Sequence, residues 1–292
     1  MKNFAMTFGS MKSLLFSLIA IMFLTLTACD SNDDAIPADN LSADSGDEEV
    51  IDGYFEDTDD VVFEANDQVS TTNGRIAIGR DHSLIRCAEI THDTENKTIT
   101  IDFGDGCEGP GGKIRSGKII ITYTDRKYVP GAIWVYTLEN YTVNGIALEG
   151  TKTLTNVTGE ESDYLSFNKV LEGGKATWPD GLFATREVNK TFTWIREPNP
   201  IDDEFHVEGE ASGVTKNGMA YEMDIVSKLI YKRKCRRAGV HIAVQGLKSI
   251  VKGDSEVLID FGDGECDNLV TITKDGESEV VDLTDKRRDK NS

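Results

Sequence analysis

Alternation of apolar and polar residues constrains the fold of this chain more than any other feature of the sequence. From about residue 76 onward, short alternating runs rich in Thr, Val, Ile, Tyr and Phe are separated by Gly, Asn and Asp. Such runs are typical of strands joined by polar turns. No series of alternating strands and helices is visible, which argues against a parallel α/β fold. We therefore predict an all-β domain over residues 76–292, built as an antiparallel meander or a sandwich. The predicted strands are 84–91, 97–103, 118–124, 133–139, 146–157, 164–171, 182–195, 204–211, 219–232, 240–245, 256–261, 269–273 and 278–283.

A hexapeptide repeat divides this domain into two halves, 76–175 and 176–292. The string Ile-Asp-Phe-Gly-Asp-Gly occurs without change at 101–106 and at 259–264. Each copy ends a predicted strand, so the repeat indicates two related halves. The four carboxylates of the repeats are Asp102, Asp105, Asp260 and Asp263.

Three interpretations of the hexapeptide remain open. The favoured one is a tight turn at a strand end, in which glycine adopts a positive φ. Calcium binding is a weaker hypothesis, with oxygens from Asp102, Asp105 and Glu108 in one copy and from Asp260, Asp263 and Asp267 in the other, because the twelve-position calcium loop with its terminal Glu is missing. The string also resembles the hallmark of polycystic-kidney-disease repeats, but the His-x-Tyr turn that follows in those modules is absent.

One cysteine precedes each hexapeptide and one follows it. The simplest pairing joins Cys87 to Cys107 and Cys235 to Cys266, with one disulfide in each half. Four cysteines permit three pairings, and the internal symmetry favours this one. A zinc site is disfavoured, because closely spaced Cys-x-x-Cys pairs are absent.

The first 28 residues predict export and lipid attachment. Lys2 and Lys12 accompany an apolar run over 14–26 that is typical of a signal peptide and short for a membrane span of about 20 residues. The string Leu-Thr-Ala-Cys, which ends at Cys29, resembles the lipobox of bacterial lipoproteins, whose cysteine is lipidated after cleavage. We predict a signal peptide over 1–28 and lipidation at Cys29. The alternative is an ordinary signal peptide or a buried helix.

An acidic segment follows Cys29. Residues 30–60 contain 13 Asp and Glu and no Lys or Arg, and this composition predicts a solvated tether within 29–75. Scattered apolar positions over 49–68 also indicate a short amphipathic helix. An acidic stretch directly after the lipidated cysteine resembles the signal that sends lipoproteins of Bacteroidetes-type bacteria to the outer face of the outer membrane. A lipoprotein that faces the periplasm is the alternative.

The order of these landmarks, from about residue 45 to residue 285, resembles a family of uncharacterised, surface-type lipoproteins common in Bacteroidetes. The segments that carry the resemblance, besides the lipobox and the acidic stretch, are 101–107, 117–124, 150–156, 191–195, 211–213 and 259–268. The resemblance implies an all-β lipoprotein of the cell surface. It implies no reaction and no ligand, and no functional residue is carried over.

Composition and motifs narrow the classes of function. A net charge of -20 argues against nucleic-acid binding, because a phosphate backbone would be repelled. The four histidines are scattered, and no known catalytic or nucleotide-binding motif occurs, so an enzyme is disfavoured and no catalytic residue is named. No cofactor is predicted apart from the calcium hypothesis.

Aromatic and basic residues allow narrower hypotheses. Trp178 lies beside a Pro-Asp-Gly turn and is expected to be the most exposed tryptophan. Phe192 and Trp194 share one face of a strand, where a half-buried position is favoured over a platform for sugars. The basic cluster 231–237 is expected on a strand, where charges that protect a sheet edge are favoured over a contact with anionic polysaccharide.

The leading hypothesis is an outer-membrane-anchored surface lipoprotein whose disulfide-stapled β-domain is a structural or ligand-binding module. The expected partners are outer-membrane lipid through Cys29, and a polysaccharide or a surface protein. A glycan-binding accessory protein of a polysaccharide-uptake system, with Trp178 in contact with the sugar, is the alternative. An exported hydrolase is less favoured.

Overall fold

The structure is a computed structural model, which describes residues 50–66 and 83–283. Helix α1 covers residues 50–66, and a short helix α2 covers Arg233–Arg237. Single 3-10 turns lie at Pro110–Gly112 and Pro200–Asp202. The strands are β1 (Glu89–Asp93), β2 (Thr98–Asp102), β3 (Cys107–Glu108), β4 (Ile114–Tyr123), β5 (Ile133–Val143), β6 (Ile146–Asn156), β7 (Leu165–Thr177), β8 (Phe183–Ile195), β9 (Glu204–Val214), β10 (Ala220–Lys232), β11 (Gln245–Lys252), β12 (Ser255–Asp263), β13 (Leu269–Lys274) and β14 (Glu277–Asp282).

All fourteen strands belong to one antiparallel sheet in which neighbours in sequence are neighbours in space. The single departure is β3, which pairs with β4 beside β2. The prediction of an all-β antiparallel meander is confirmed. The sheet runs without a break from the first cysteine-bearing half to the second through the β7–β8 pair, so the two halves share one sheet.

The alternation in the sequence becomes the two faces of this sheet. In β8, Ala184, Arg186 and Val188 are buried, whereas Glu187 and Asn189 between and beyond them are exposed. We call the face that carries Arg186 the inner face. The sheet bends at bulges, one of which lies between Ser116 and Lys118 in β4. Glycine is required at this bulge, because a Cβ atom on residue 117 would lie 2.2 Å from the carbonyl oxygen of Asn140.

Helix α1 packs on the inner face of the sheet. Its residues Ile51, Phe55, Val62 and Ala65 are buried at helical spacing, so the predicted amphipathic helix is confirmed. The helix touches side chains of five consecutive strands, β4 to β8. Five strands span about 19 Å, so the contacts of α1 cover a wide part of the inner face.

The prediction of a solvated tether over 30–60 is wrong for residues 50–60. These residues belong to α1, and Asp57 and Asp59 are buried. The physical reason is that lysine and arginine side chains of the sheet neutralise them. Residues 30–49 lie outside the described part of the chain. No helix of the described residues is long and apolar enough to cross a membrane.

Two further predictions are corrected near the second disulfide. Segment 240–245 is a loop up to Gln245, where β11 begins, and not a strand. Val240 and Val244 of this loop pack against Cys235, so their apolar pattern comes from a buried loop. The basic cluster 231–237 is not wholly on a strand, because β10 ends at Lys232 and the rest forms α2.

Candidate functional site

Among the residues that the structure describes, buried charged side chains are concentrated at the interface between α1 and the inner face. Asp59 lies at its centre and accepts hydrogen bonds from Lys152 of β6, Lys169 of β7 and Tyr136 of β5. Lys152 also donates to the backbone carbonyl of Phe55, at 2.8 Å. Asp59, Lys152 and Tyr136 are each at most 4 % exposed, so one buried carboxylate connects three neighbouring strands to the helix.

Asp57 binds the start of β4. Arg115 donates to both of its carboxylate oxygens, with Nη2 at 2.7 Å from Oδ1 and Nε at 3.1 Å from Oδ2. Lys113 adds a third contact, with Nζ 2.6 Å from Oδ1. The side chain of Arg115 is fully buried, and two-point binding of this kind fixes the geometry as well as the charge.

Asp52 binds β8, one turn of the helix earlier. Nη2 of Arg186 lies 2.6 Å from Oδ1, and Nζ of Lys190 lies 3.6 Å from Oδ2. Arg186 is fully buried and also donates through Nη1 to the hydroxyl of Tyr221, at 3.1 Å. The ion pairs of α1 therefore reach from β4 to β8.

These charges shift one another's pKa values. Burial by itself would raise the pKa of Asp59, but Lys152 and Lys169 outweigh it and hold the pKa below its usual range. Burial by itself would also raise the pKa of Asp52, but Arg186 and the neighbouring lysines outweigh it and hold the pKa below its usual range. Burial lowers the pKa of Lys152 to about 8, although Asp59 opposes this shift. Both carboxylates are therefore ionised at neutral pH.

One carboxylate of the helix behaves in the opposite way. Partial burial, together with the negative charge of Asp52, raises the pKa of Glu56 to about 7. Lys169 and Lys190 reduce this shift without cancelling it. Near neutral pH, Glu56 therefore gains or loses a proton, and Lys152 does so at slightly higher pH.

The recess between α1 and the sheet is small. It has a cavity volume of about 20 Å³ and is lined by Asp52, Glu56, Lys152, Lys169 and Lys190, among others. This is room for about one water molecule, whereas pockets for small molecules have volumes of hundreds of Å³. Perturbed pKa values also occur at catalytic sites. Here the volume supports a different role, in which the charges hold the helix in place.

Local sequence patterns do not predict this interface. The residues that neutralise the acidic helix lie at least 56 positions further along the chain and extend as far as Lys190. A signal was nevertheless present, because alternation places Arg186 and Lys190 on the same face of β8 as Val188. Cations on an otherwise apolar face indicate a buried anionic partner.

Both predicted disulfides are present. Cys87 is bonded to Cys107, with 5.7 Å between their Cα atoms, and Cys235 is bonded to Cys266, with 4.9 Å. The first bridge joins the segment before β1 to β3, and the second joins α2 to the β12–β13 connection. Each half of the sheet therefore carries one bridge beside its hexapeptide.

The two hexapeptides contain the same local hydrogen bond. Asp102 accepts a hydrogen bond from the amide of Gly104, at 2.9 Å, and Asp260 accepts the equivalent bond from Gly262, at 2.8 Å. Both glycines have positive φ, 60° and 83°. The turn interpretation is confirmed for the first copy, where β2 ends at Asp102, whereas in the second copy β12 continues to Asp263 through a bulge in its pairing with β11. Asp102 also forms an ion pair with Lys118, at 2.8 Å.

Asp105 and Asp263, two further carboxylates of the calcium hypothesis, are exposed, the first in the turn after β2 and the second at the end of β12. Within residues 50–66 and 83–283, no group of three or more His, Cys, Asp or Glu side chains is arranged to hold a metal ion.

The three tryptophans differ in burial and contacts. Trp134 is buried, whereas Trp178 and Trp194 are half-buried. Trp194 stacks on Phe205 across the β8–β9 pair, with 5.8 Å between ring centroids. This agrees with the favoured prediction of a half-buried position for Trp194. The ring of Trp178 meets Tyr54 of α1 edge-on, and Nζ of Lys216 lies 4.9 Å from its centroid.

The basic cluster is split by α2. Arg233 binds Asp203, with 3.3 Å between Nη1 and Oδ2. Lys234, Arg236 and Arg237 are exposed on the short helix.

Comparison of the chain with protein-family models, with curated proteins and with solved structures gives no match. Cys29 and the predicted signal peptide over 1–28 lie outside the described residues.

Proposed function

We propose that the protein is an outer-membrane lipoprotein, attached through Cys29, whose β-domain is a structural or binding module at the cell surface. The observation that carries the proposal is the position of α1. The helix begins shortly after the lipobox cysteine and is bound to five strands of the sheet by buried polar contacts. A pull on Cys29 would therefore be transmitted to the sheet.

The length of the connecting segment supports close attachment. Twenty residues separate Cys29 from residue 50. Even fully extended, twenty residues span at most about 70 Å. The predicted tether, which continued to residue 60, would have had a longer reach. The domain would thus work near the membrane surface.

The same segment supports export to the surface. Eight of its twenty residues are Asp or Glu, and none is Lys or Arg. This is the acidic stretch that resembles the surface-export signal of Bacteroidetes-type lipoproteins.

The charged interface supports a module over an enzyme. Asp52, Asp57 and Asp59 are each bound by lysine or arginine, so they would not serve as a free nucleophile or base. The recess beside them has room for about one water molecule, which is too little for a substrate.

Lipid labelling and protease accessibility test the proposal. Cells that express the full chain would be fed an alkyne-bearing fatty acid, and Cys29→Ala would be the control. We expect label and outer-membrane fractionation for the wild type, loss of both for Cys29→Ala, and cleavage by protease added to intact cells. Absence of label would overturn lipid attachment. Labelled protein that is cleaved only after the outer membrane is permeabilised would instead establish the periplasm-facing alternative.

A glycan-binding accessory role is the second candidate, and the half-exposed ring of Trp178 carries it. Lys216 covers the ring at 4.9 Å and would compete with a stacked sugar, which is why this function ranks second. The test is thermal melting with a panel of polysaccharides. A ligand would raise the melting temperature of the wild type but not of Trp178→Ala, whereas a flat response for both would reject this role.

A further inference from the structure

Exposed apolar side chains cluster at the end of the sheet where α1 begins. Leu182 and Phe183, in and after the β7–β8 turn, are 50 % and 49 % exposed. Met219, in the adjacent β9–β10 turn, is 46 % exposed. Exposed apolar residues are ordinary on protein surfaces, and Tyr128, Val157 and Tyr164 are similarly exposed at the opposite end, so the contacts of this group with α1 are what distinguish it.

Contacts join these two turns to each other and to the helix. Asp180 of the first turn forms an ion pair with Lys216 of the second, at 2.8 Å. Lys216 also lies over the ring of Trp178, and Trp178 meets Tyr54 in the first turns of α1, with 6.3 Å between centroids. We define the turn patch as Trp178, Leu182, Phe183 and Met219. It is attached to the part of α1 that is closest in sequence to Cys29.

We propose that the turn patch rests on the lipid surface to which Cys29 is attached, with its apolar side chains in the headgroup region. The inference rests on the proposed lipid attachment and adds how the domain is oriented. The short segment between Cys29 and α1 keeps the start of the helix within about 70 Å of the membrane. The patch would then bind the lipid as an intramolecular step at high effective concentration.

The chemistry of the patch suits this position. Tryptophan has an apolar body and one polar N–H, and it is enriched where hydrocarbon meets water. Lys175 and Lys216 lie over the rings of Phe183 and Trp178, at 5.5 and 4.9 Å. Each lysine also pairs with a carboxylate, Lys175 with Glu149 at 3.1 Å and Lys216 with Asp180 at 2.8 Å, so the contact with lipid rests on the exposed apolar side chains.

The opposite end of the sheet provides a matched control. Val157 and Tyr164, at the β6–β7 connection, are 45 % and 41 % exposed, so they are as apolar and as accessible as the patch. Glu160, Glu161 and Asp163 lie between them. Lys127, at the same end, lies over Phe63, nine residues after Tyr54 in α1. Nine helical residues extend about 13 Å away from the patch.

The test is quenching of tryptophan fluorescence by bromine-labelled lipid. Lipidated full-length protein would be placed in vesicles of phosphatidylcholine and phosphatidylglycerol, with the bromines on the acyl chains. We expect quenching in the wild type and its loss in Trp178→Phe. The charged double variant Leu182→Glu/Phe183→Glu should also lose it. The control Val157→Glu/Tyr164→Glu should keep it, and melting would verify that all variants fold.

The outcomes separate the two proposals. Absence of a lipid at Cys29 by mass spectrometry would reject the proposed function. A lipidated protein without quenching, or with equal loss in the control variant, would reject only the lipid contact of the turn patch.

Discussion

Aspartate has different roles in the hexapeptides and in the interface of α1. In the hexapeptides, Asp102 and Asp260 accept hydrogen bonds from glycines two residues later. In the helix, the partners of Asp57 and Asp52 lie as far along the chain as Arg115 and Lys190. The aspartate–glycine bond of each hexapeptide is therefore formed within its own six residues. The helix interface exists only when the sheet is complete, so its stability depends on the fold as a whole.

The largest effect is expected from Asp59→Ala. The substitution leaves Lys152 buried without its counterion, and loss of one partner of a buried ion pair costs about 3–5 kcal/mol. Chemical denaturation would measure the loss of unfolding free energy. Asp60→Ala, at the exposed neighbouring position, is the control and should change stability by less than about 0.5 kcal/mol. A loss in Asp59→Ala as small as that in Asp60→Ala would mean that Asp59 is solvated.

The next effect concerns the two disulfides. They close loops with sequence separations of 20 and 31 residues, so each should contribute roughly 3 kcal/mol by restricting the unfolded chain. The double variants Cys87→Ser/Cys107→Ser and Cys235→Ser/Cys266→Ser avoid an unpaired thiol. Denaturation should show a similar loss in both. A loss of stability in only one of the two double variants would show that the two disulfides do not stabilise the protein equally.

Glycine substitutions distinguish the turn from the helix by the sign of their effect. Gly104 has a φ of 60° and no atom within 4 Å of an added Cβ, so Gly104→Ala should cost about 1 kcal/mol through backbone strain alone. Gly53 is exposed within α1, and its added Cβ would also meet nothing, so Gly53→Ala should gain up to about 1 kcal/mol. Thermal melting would compare them. Destabilisation by Gly53→Ala would argue against the helix.

The smallest effect concerns pH. The pKa of Glu56 is raised from 4.5 to about 7 in the folded state, so the folded protein keeps a proton that the unfolded chain releases. Stability should therefore fall as the pH rises from 4.5 to 7. In Glu56→Gln, the loss of unfolding free energy between pH 4.5 and 7 should be smaller than in the wild type by at most about 1 kcal/mol, because water screens the partly exposed side chain of Glu56. Denaturation at several pH values tests the slope, and an unchanged slope would contradict the shift.

Asp52 and Asp59 give the opposite slope in acid. Their folded pKa values lie below the usual 3.8, so the stability they contribute is present above that pH and is lost as the pH falls below it.

The sequence predicts those parts of the fold that local patterns specify. Strand alternation, the turn of the first hexapeptide and the cysteine pairing are predicted, because strand period, positive φ and symmetry are visible in short segments. The buried loop around Val240 and Val244 has the apolar pattern expected of a strand, because packing against Cys235 also requires apolar residues. The acidic residues of α1 were predicted as solvated, because composition does not show a partner as distant as Arg186.

Hydrogen exchange of α1 tests most directly whether this acidic helix is a buried part of the fold. Mass spectrometry would follow amide exchange in a peptide that covers residues 50–66, with a β6 peptide as the internal reference. The buried ion pairs predict slow exchange, comparable to that of β6, and faster exchange of the helix in Asp59→Ala. Exchange at the rate of an unstructured peptide in the wild type would contradict the account and restore a solvated tether.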